Sequence, residues 1–197
     1  MKFFHPRRIW RICCSTLQKA SFVFLCRIHH VEARVGRNCR IRGCRVFVPE
    51  GGGLVIIGDN CVILNCTFAF YGKGGLIVVG DSTKINARRD ARTGLYVKDK
   101  TSIRIGDRGL ISNSVEIATT DWHWIVDEEE HLLNENKDVL IGEHVWVCRR
   151  VLIGKGVSIG KGSVIGAGSI VTKSFPGNRL LIAGNPAVEK QKNILWK

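Results

Sequence analysis

The C-terminal half of the chain repeats its hydrophobic pattern every six residues. Each repeat begins with an aliphatic residue, has a small or β-branched residue four positions later, and often has Gly directly after the aliphatic residue. Such a hexad forms one short strand and one turn, and three hexads close a triangular coil whose aliphatic side chains point inward. The pattern therefore predicts a parallel β-helix. The aliphatic positions are Ile141, Val147, Ile153, Ile159, Ile165 and Val171.

The N-terminal half has a longer repeat. The segment VGRNCRIRGC from Val35 matches IGDNCVILNC from Ile57, 22 residues further on, and the hexads resume at Ile105. A coil of three hexads with an outward loop of about four residues gives this spacing. Gly and Asn are expected at the corners, where a positive φ is tolerated. Outward loops are predicted near residues 50–53, 71–75 and 88–94.

Four of the eight cysteines follow this longer repeat. Cys39 and Cys61 occupy the same position in successive coils, and so do Cys44 and Cys66. We expect stacked, reduced core thiols at these positions, because free Cys packs as a small apolar residue. A four-cysteine zinc site is the alternative, and the repeat explains all four positions without a metal.

The first 30 residues are basic and aromatic and precede the repeats. They are predicted to form a helical cap over the open strand edge of the first coil, with Trp10, Cys14, Leu17 and Phe24 on its apolar face. A helix lying on a membrane surface is the alternative interpretation. The predicted organisation is a cap over residues 1–30, a single β-helix domain over residues 31–188, and a tail over residues 189–197.

The charge distribution indicates an anionic partner. The net charge is +13, and residues 1–45 contain eleven Lys or Arg and one acid. A phospholipid surface, an acidic or lipid-linked glycan or the phosphates of a cofactor would suit this charge. Nucleic acid is not expected, because no binding motif accompanies the charge. With no apolar stretch of about 18 residues and no secretory signal, the chain is expected to be cytoplasmic, with peripheral attachment to the inner membrane face left open.

The hexad register breaks between Ile117 and Ile141. The positions that should be aliphatic hold His123, Glu129 and Glu135. A long excursion must leave the β-helix there, and long loops in compact repeat proteins are often functional. Because the excursion starts with Asp-Trp-His-Trp, His123 is the leading candidate for a catalytic residue.

Several motifs together resemble the hexapeptide-repeat acetyltransferases. They are DWHWI at residues 121–125, KDV at 137–139, IGEHVW at 141–146, VTK at 171–173 and AGNPA at 183–187. The branch they resemble acetylates capsule, lipopolysaccharide or sialic-acid-containing glycans. The resemblance implies an all-β, left-handed parallel β-helix and an acetyl-CoA-dependent O-acetyltransferase without a metal. It also implies a homotrimer with acetyl-CoA in the groove between neighbouring β-helices.

The resemblance also assigns roles to individual residues. His123 would be the general base in a direct transfer, since a neutral imidazole can take a proton from a sugar hydroxyl. Trp146, counted with the catalytic residues, would pack beside the acetyl or pantetheine end of the cofactor, and Trp122 and Trp124 would face the acceptor sugar. The other cofactor contacts would be Gly166 and Ala167 to pantetheine, Thr172 and Lys173 to phosphates, Gly184, Asn185, Pro186 and Ala187 to adenine, and Lys190 or Lys192 to the 3′-phosphate.

Other functions stay open at this point. An N-acetyltransferase acting on an amino-sugar nucleotide would share the same hexads, and a non-catalytic trimeric scaffold on membranes would explain the basic N-terminus. A zinc hydratase is disfavoured because His123, His131 and His144 lack the usual ligand spacing. Cys148, where the family commonly has Gly, is in principle a nucleophile, although direct transfer requires none.

Overall fold

The structure, a computed structural model, describes the backbone of residues 6–197 and the side chains of residues 17–197. Within that range a single helix, α1 (Pro6–Ile28), is followed by strands. The strands, in chain order, are β1 (Val31–Val35), β2 (Arg40–Arg42), β3 (Arg45–Ile57), β4 (Val62–Leu64), β5 (Cys66–Val79), β6 (Lys84–Asn86), β7 (Thr93–Lys98), β8 (Ser102–Ile105), β9 (Leu110–Ile111), β10 (Glu116–Ala118), β11 (Val139–Ile141), β12 (Trp146–Val147), β13 (Leu152–Ile153), β14 (Ser158–Ile159), β15 (Val164–Ile165), β16 (Ile170–Val171), β17 (Leu181–Gly184) and β18 (Ala187–Gln191).

The strands stack into three faces of a triangular coil. The first face holds β1, the C-terminal halves of β3 and β5, β8, β11 and β14. The second face holds β2, β4, β6, β9, β12, β15 and β17. The third face holds the N-terminal halves of β3 and β5, β7, β10, β13 and β16. Pairing from coil to coil is parallel, whereas β17 and β18 form an antiparallel hairpin. The predicted left-handed parallel β-helix is confirmed.

The core is the stack of inward aliphatic side chains. All six aliphatic hexad positions are buried, and Ile111 lies between Ile85 and Val147 of the neighbouring coils. Burial comes from stacking of successive coils, because a single coil has no interior of its own. The predicted corner chemistry is present too, since Asn38 and Asn60 both adopt a positive φ.

The repeated cysteines are stacked thiols, and three of the four are buried as predicted, whereas Cys44 is half-buried. Cys39 and Cys61 are buried at equivalent positions of successive coils, and all the cysteines with described side chains are free. Their Sγ atoms donate to Gly58 O at 3.0 Å and Gly80 O at 3.1 Å in the next coil. Burial raises the pKa of Cys61 to about 11, so the thiol stays protonated at neutral pH.

Two of the three predicted outward loops are wrong. Residues 50–53 and 71–75 lie inside the long strands β3 and β5, which turn the corner from the third face to the first while still paired with each other. Gly51 and Gly72, paired across this corner, both have a positive φ, which allows the backbone to bend without leaving the ladder. The third prediction is correct in part, because residues 88–91 form a turn, whereas Thr93 and Gly94 already belong to β7.

Helix α1 packs onto the first coils. The Phe22 ring lies 5.3 Å from that of Phe68, and Phe22 and Cys26 are buried. The predicted apolar face is partly wrong, since Leu17 and Phe24 are exposed, while the side chains of Trp10 and Cys14 lie outside the described residues. Along the described chain, no helix has the length and apolar character that crossing a bilayer requires.

Candidate functional site

A long excursion leaves the β-helix where the hexad register breaks. It runs from Thr119 to Asp138 between β10 and β11, and most of its residues are exposed. A short antiparallel bridge between Val126 and Leu132 folds it back on itself. The β-helix continues beneath it without interruption, because Glu116 in β10 pairs with Leu152 in β13. The excursion is therefore an ordered appendage on a rigid scaffold.

His123 is held by its backbone and leaves its ring free. Its amide donates to Asp121 O at 2.8 Å, and its carbonyl accepts from Asn134 Nδ2 at 2.8 Å. The residue is exposed, and its imidazole makes no hydrogen bond within the described part of the chain. The ring is therefore open to a hydrogen bond from a bound molecule, and the role of His123 as general base stays a prediction.

Lys155 anchors this segment to the β-helix. Its Nζ lies 2.5 Å from Asp121 Oδ2 and donates to Asn134 O at 2.6 Å, and its side chain is only 16% exposed. Asn134 also accepts from the amide of Ile125 at 2.7 Å. Sequence reasoning missed both Lys155 and Asn134, since neither lies next to His123 in the chain.

Replacing Lys155 by Met is expected to loosen the excursion. A half-buried, charge-assisted contact of this kind contributes about 1–3 kcal/mol, so the amides of Ile125 and Leu133 should exchange with solvent roughly tenfold faster or more. Hydrogen exchange followed by mass spectrometry measures this. As the control, Lys161→Met removes an exposed lysine outside the excursion and should leave the exchange rates of these two amides unchanged. Equal protection in both variants would mean that the anchor is unimportant.

The two tryptophans beside His123 have different surroundings. Trp122 has a positive φ and meets the rings of Tyr71 and Tyr96 edge-on, with centroid distances of 5.0 and 5.4 Å. It is 38% exposed, whereas Trp124 is 76% exposed. Their predicted role as acceptor-binding residues stays a prediction, and Trp124 has the freer ring.

Trp146 lies on the second face under the C-terminal tail. The Trp196 ring stacks on His144 at 4.0 Å and 7° and lies 5.9 Å from Trp146. Trp196 Nε1 also donates to His144 O at 3.0 Å. Trp146 Nε1 is buried and has no hydrogen-bond partner among the described residues. Trp196 was missed at the sequence level, although an aromatic residue in a polar tail was a usable signal.

The predicted cofactor residues fall into two groups. Gly166 and Gly184 are neighbours, because the Ser169 hydroxyl donates to Gly166 O at 2.7 Å and accepts from Gly184 N at 3.1 Å. They lie close to Trp146, because its strand β12 pairs with β15, which ends directly before Gly166. Ala167, Asn185 and Pro186 are exposed beside them, and Ala187 is buried.

The second group consists of residues that directly follow β16 and of lysines in or just after β18. Thr172 and Lys173 are exposed after β16, and Lys173 Nζ lies 5.7 Å from the centre of the Phe175 ring. Lys190 is exposed in β18, and Lys192 pairs with Glu189 at 3.6 Å. These exposed cations are available to phosphates, and their contacts with the cofactor stay predictions.

His123 and Trp146 lie on different faces of the same chain. Trp146 is on the second face, while the excursion leaves after β10 and packs through Trp122 on Tyr71 and Tyr96 of the third face. The predicted site shared between two neighbouring chains stays a prediction. Cys148 gains no support as a nucleophile, since burial raises its pKa and disfavours the thiolate.

Comparisons with known proteins agree with this architecture. The family model "Bacterial transferase hexapeptide (six repeats)" matches residues 138–173. A polysialic acid O-acetyltransferase of Escherichia coli O1:K1 / APEC is 48% identical over 101 residues, which is 51% of this chain and 33% of that protein. The polysialic acid O-acetyltransferase of Neisseria meningitidis is 41% identical over 117 residues, 58% of this chain and 54% of that protein.

A solved structure extends the match along the chain. The crystal structure of NeuO, a polySia-specific acetyltransferase, aligns with a TM-score of 0.56 and 30% identity over 85% of this chain and 82% of that one. The chain therefore belongs to the hexapeptide-repeat acetyltransferase family, as its motifs predicted. The matched segments span a third and about half of the lengths of the two curated relatives.

Proposed function

We propose that this protein is an acetyl-CoA-dependent O-acetyltransferase acting on a hydroxyl of an acidic bacterial surface glycan of the polysialic acid type. The observation that carries the proposal is the excursion on the hexapeptide β-helix. Its backbone at His123 is anchored by hydrogen bonds and by the Lys155–Asp121 ion pair, while the imidazole ring makes no hydrogen bond to the described residues. Both curated relatives are named as O-acetyltransferases of polysialic acid. The excess of cations over acids in this chain suits such a polymer.

The residues beside Trp146 fit a coenzyme A thioester. Gly166 and Ala167 have no charged side chain, so their backbone groups are available to pantetheine. Lys173, Lys190 and Lys192 are exposed cations that suit the phosphates of the cofactor. Acetyl-CoA would supply an acetyl group activated as a thioester. His123 would take the proton of the acceptor hydroxyl as its oxygen attacks the thioester carbonyl, with no acyl-enzyme.

The proposed assembly is a homotrimer with each site between two chains. It is supported by the separation of His123 from Trp146 and by the unpaired Nε1 of Trp146, which a neighbouring chain or ligand could satisfy. A cytoplasmic location, with attachment to the inner membrane face through the basic N-terminus, stays a prediction.

Acetyl-CoA turnover tests the proposal. Free thiol release is followed with oligosialic acid, a neutral glycan and an amino-sugar nucleotide as acceptors. Release that depends on oligosialic acid, with the acetyl group found on oxygen, supports it. Release with the amino-sugar nucleotide alone would assign the N-acetyltransferase instead, and absence of turnover and of acetyl-CoA binding would favour the scaffold.

A further inference from the structure

A groove on the outward side of the third face is not used by the proposed chemistry. It has a volume of ≈ 620 Å³ and lies across the first coils, next to α1. Small side chains form its floor, with Thr67 and Ala69 in the middle. Phe47, Tyr71 and Tyr96 rise around that floor, so the groove is shallow, open and lined by rings.

The rings connect the groove to the catalytic excursion. Phe47 and Tyr71 are 5.7 Å apart, and Trp122 touches both Tyr71 and Tyr96. The Tyr96 ring lies over Gly94, where any side chain would collide with it. Trp122 directly precedes His123 in the chain. A chain molecule bound along these rings would therefore extend toward the imidazole of His123.

Two arginines give the groove an unbalanced positive charge. Arg92 is half-buried, and its guanidinium donates only to neutral acceptors: Gly43 O at 2.6 Å, Thr67 Oγ1 at 3.4 Å and Cys66 O at 3.4 Å. Arg45 is exposed at the groove edge.

Neither arginine forms an ion pair with an acid among residues 17–197, and residues 1–16 contain no Asp or Glu. Two carboxylates also lie on this side of the β-helix: Glu50 pairs with Tyr71 at the corner, and Glu116 pairs with Gly94 one coil further on. An anion is therefore best held at the Arg45 end of the groove, away from Glu116.

We propose that this groove is an acceptor subsite, distinct from the reaction centre, that binds a non-reacting acidic sugar residue of the same glycan chain. The sugar ring packs against Phe47 and Tyr71, and its carboxylate pairs with Arg45 and Arg92. Planar guanidinium groups match a carboxylate in two-point contacts. This inference rests on the proposed function for the identity of the glycan, but binding in the groove needs no chemistry.

Calorimetry with an oligosialic acid octamer tests the subsite directly. Arg45→Gln and Phe47→Ala change exposed side chains and should leave the fold intact, and each is expected to raise the Kd of the octamer about tenfold. Arg34→Gln removes an exposed arginine from the first face and should leave the Kd unchanged. Equal affinity in all three variants would overturn the subsite.

Kinetics separate the subsite from the reaction. In the Arg45 and Phe47 variants, KM for the octamer should rise about tenfold at unchanged kcat, while KM for acetyl-CoA and for a single sialic acid unit stays constant. An equal rise for the octamer and the single unit would overturn the proposal. If the wild type transfers acetyl to no acceptor, the proposed function fails, and the calorimetric comparison still decides whether the groove binds the anionic chain.

Discussion

Replacement of His123 by Ala is expected to lower acetyl transfer to oligosialic acid by about 10²–10⁴-fold, the contribution typical of a positioned general base. The exposed imidazole makes no hydrogen bond within the described part of the chain, so its removal should leave the fold and the melting temperature unchanged. Thiol release under saturating acetyl-CoA measures the rate. Binding of acetyl-CoA, measured separately, should persist in the variant.

The matched control for this experiment is His131→Ala. His131 is exposed in the same excursion, and its Nδ1 lies 3.1 Å from Asp127 Oδ2. Losing that surface contact should lower the free energy of unfolding only slightly and leave the transfer rate nearly unchanged. A His123 variant with wild-type turnover, or equal losses in both variants, would remove His123 from the mechanism.

Mixing two inactive variants is expected to restore activity. If each site takes His123 from one chain and Trp146 from its neighbour, random trimers of His123→Ala and Trp146→Ala chains contain intact sites. Because an intact site needs one chain of each kind in the correct order, about a quarter of the wild-type activity should return. The chains are unfolded and refolded together, and native mass spectrometry verifies that mixed trimers have formed.

A double variant provides the control for complementation. Chains carrying both His123→Ala and Trp146→Ala, mixed with His123→Ala chains, contain no His123 at all and should stay inactive. Mixed trimers of the two single variants that remain inactive would mean that both residues serve one chain's own site. That result would contradict the shared site and would require the excursion to move across the β-helix.

The β-helix could be predicted because its core residues recur along the sequence with a fixed period. Every coil points its aliphatic residues inward, so positions such as Ile153 and Ile165 must recur every six residues. The same rule located the excursion, since His123 replaces an aliphatic residue where the register breaks. The two wrong loop predictions have a physical cause. Hydrogen bonding between β3 and β5 continues around the corner, and this pairing between separate coils cannot be read from either segment alone.

The sequence by itself determined the coil, its core positions, the stacked thiols and the candidate base, because each follows from a local repeat or from its interruption. Only the tertiary structure decided the contacts between distant segments: Lys155 on Asp121, Trp196 on His144, and the groove between Arg45 and Tyr96. These residues share no sequence period. They meet because successive coils stack and the tail folds back, and the distances between them are set by packing.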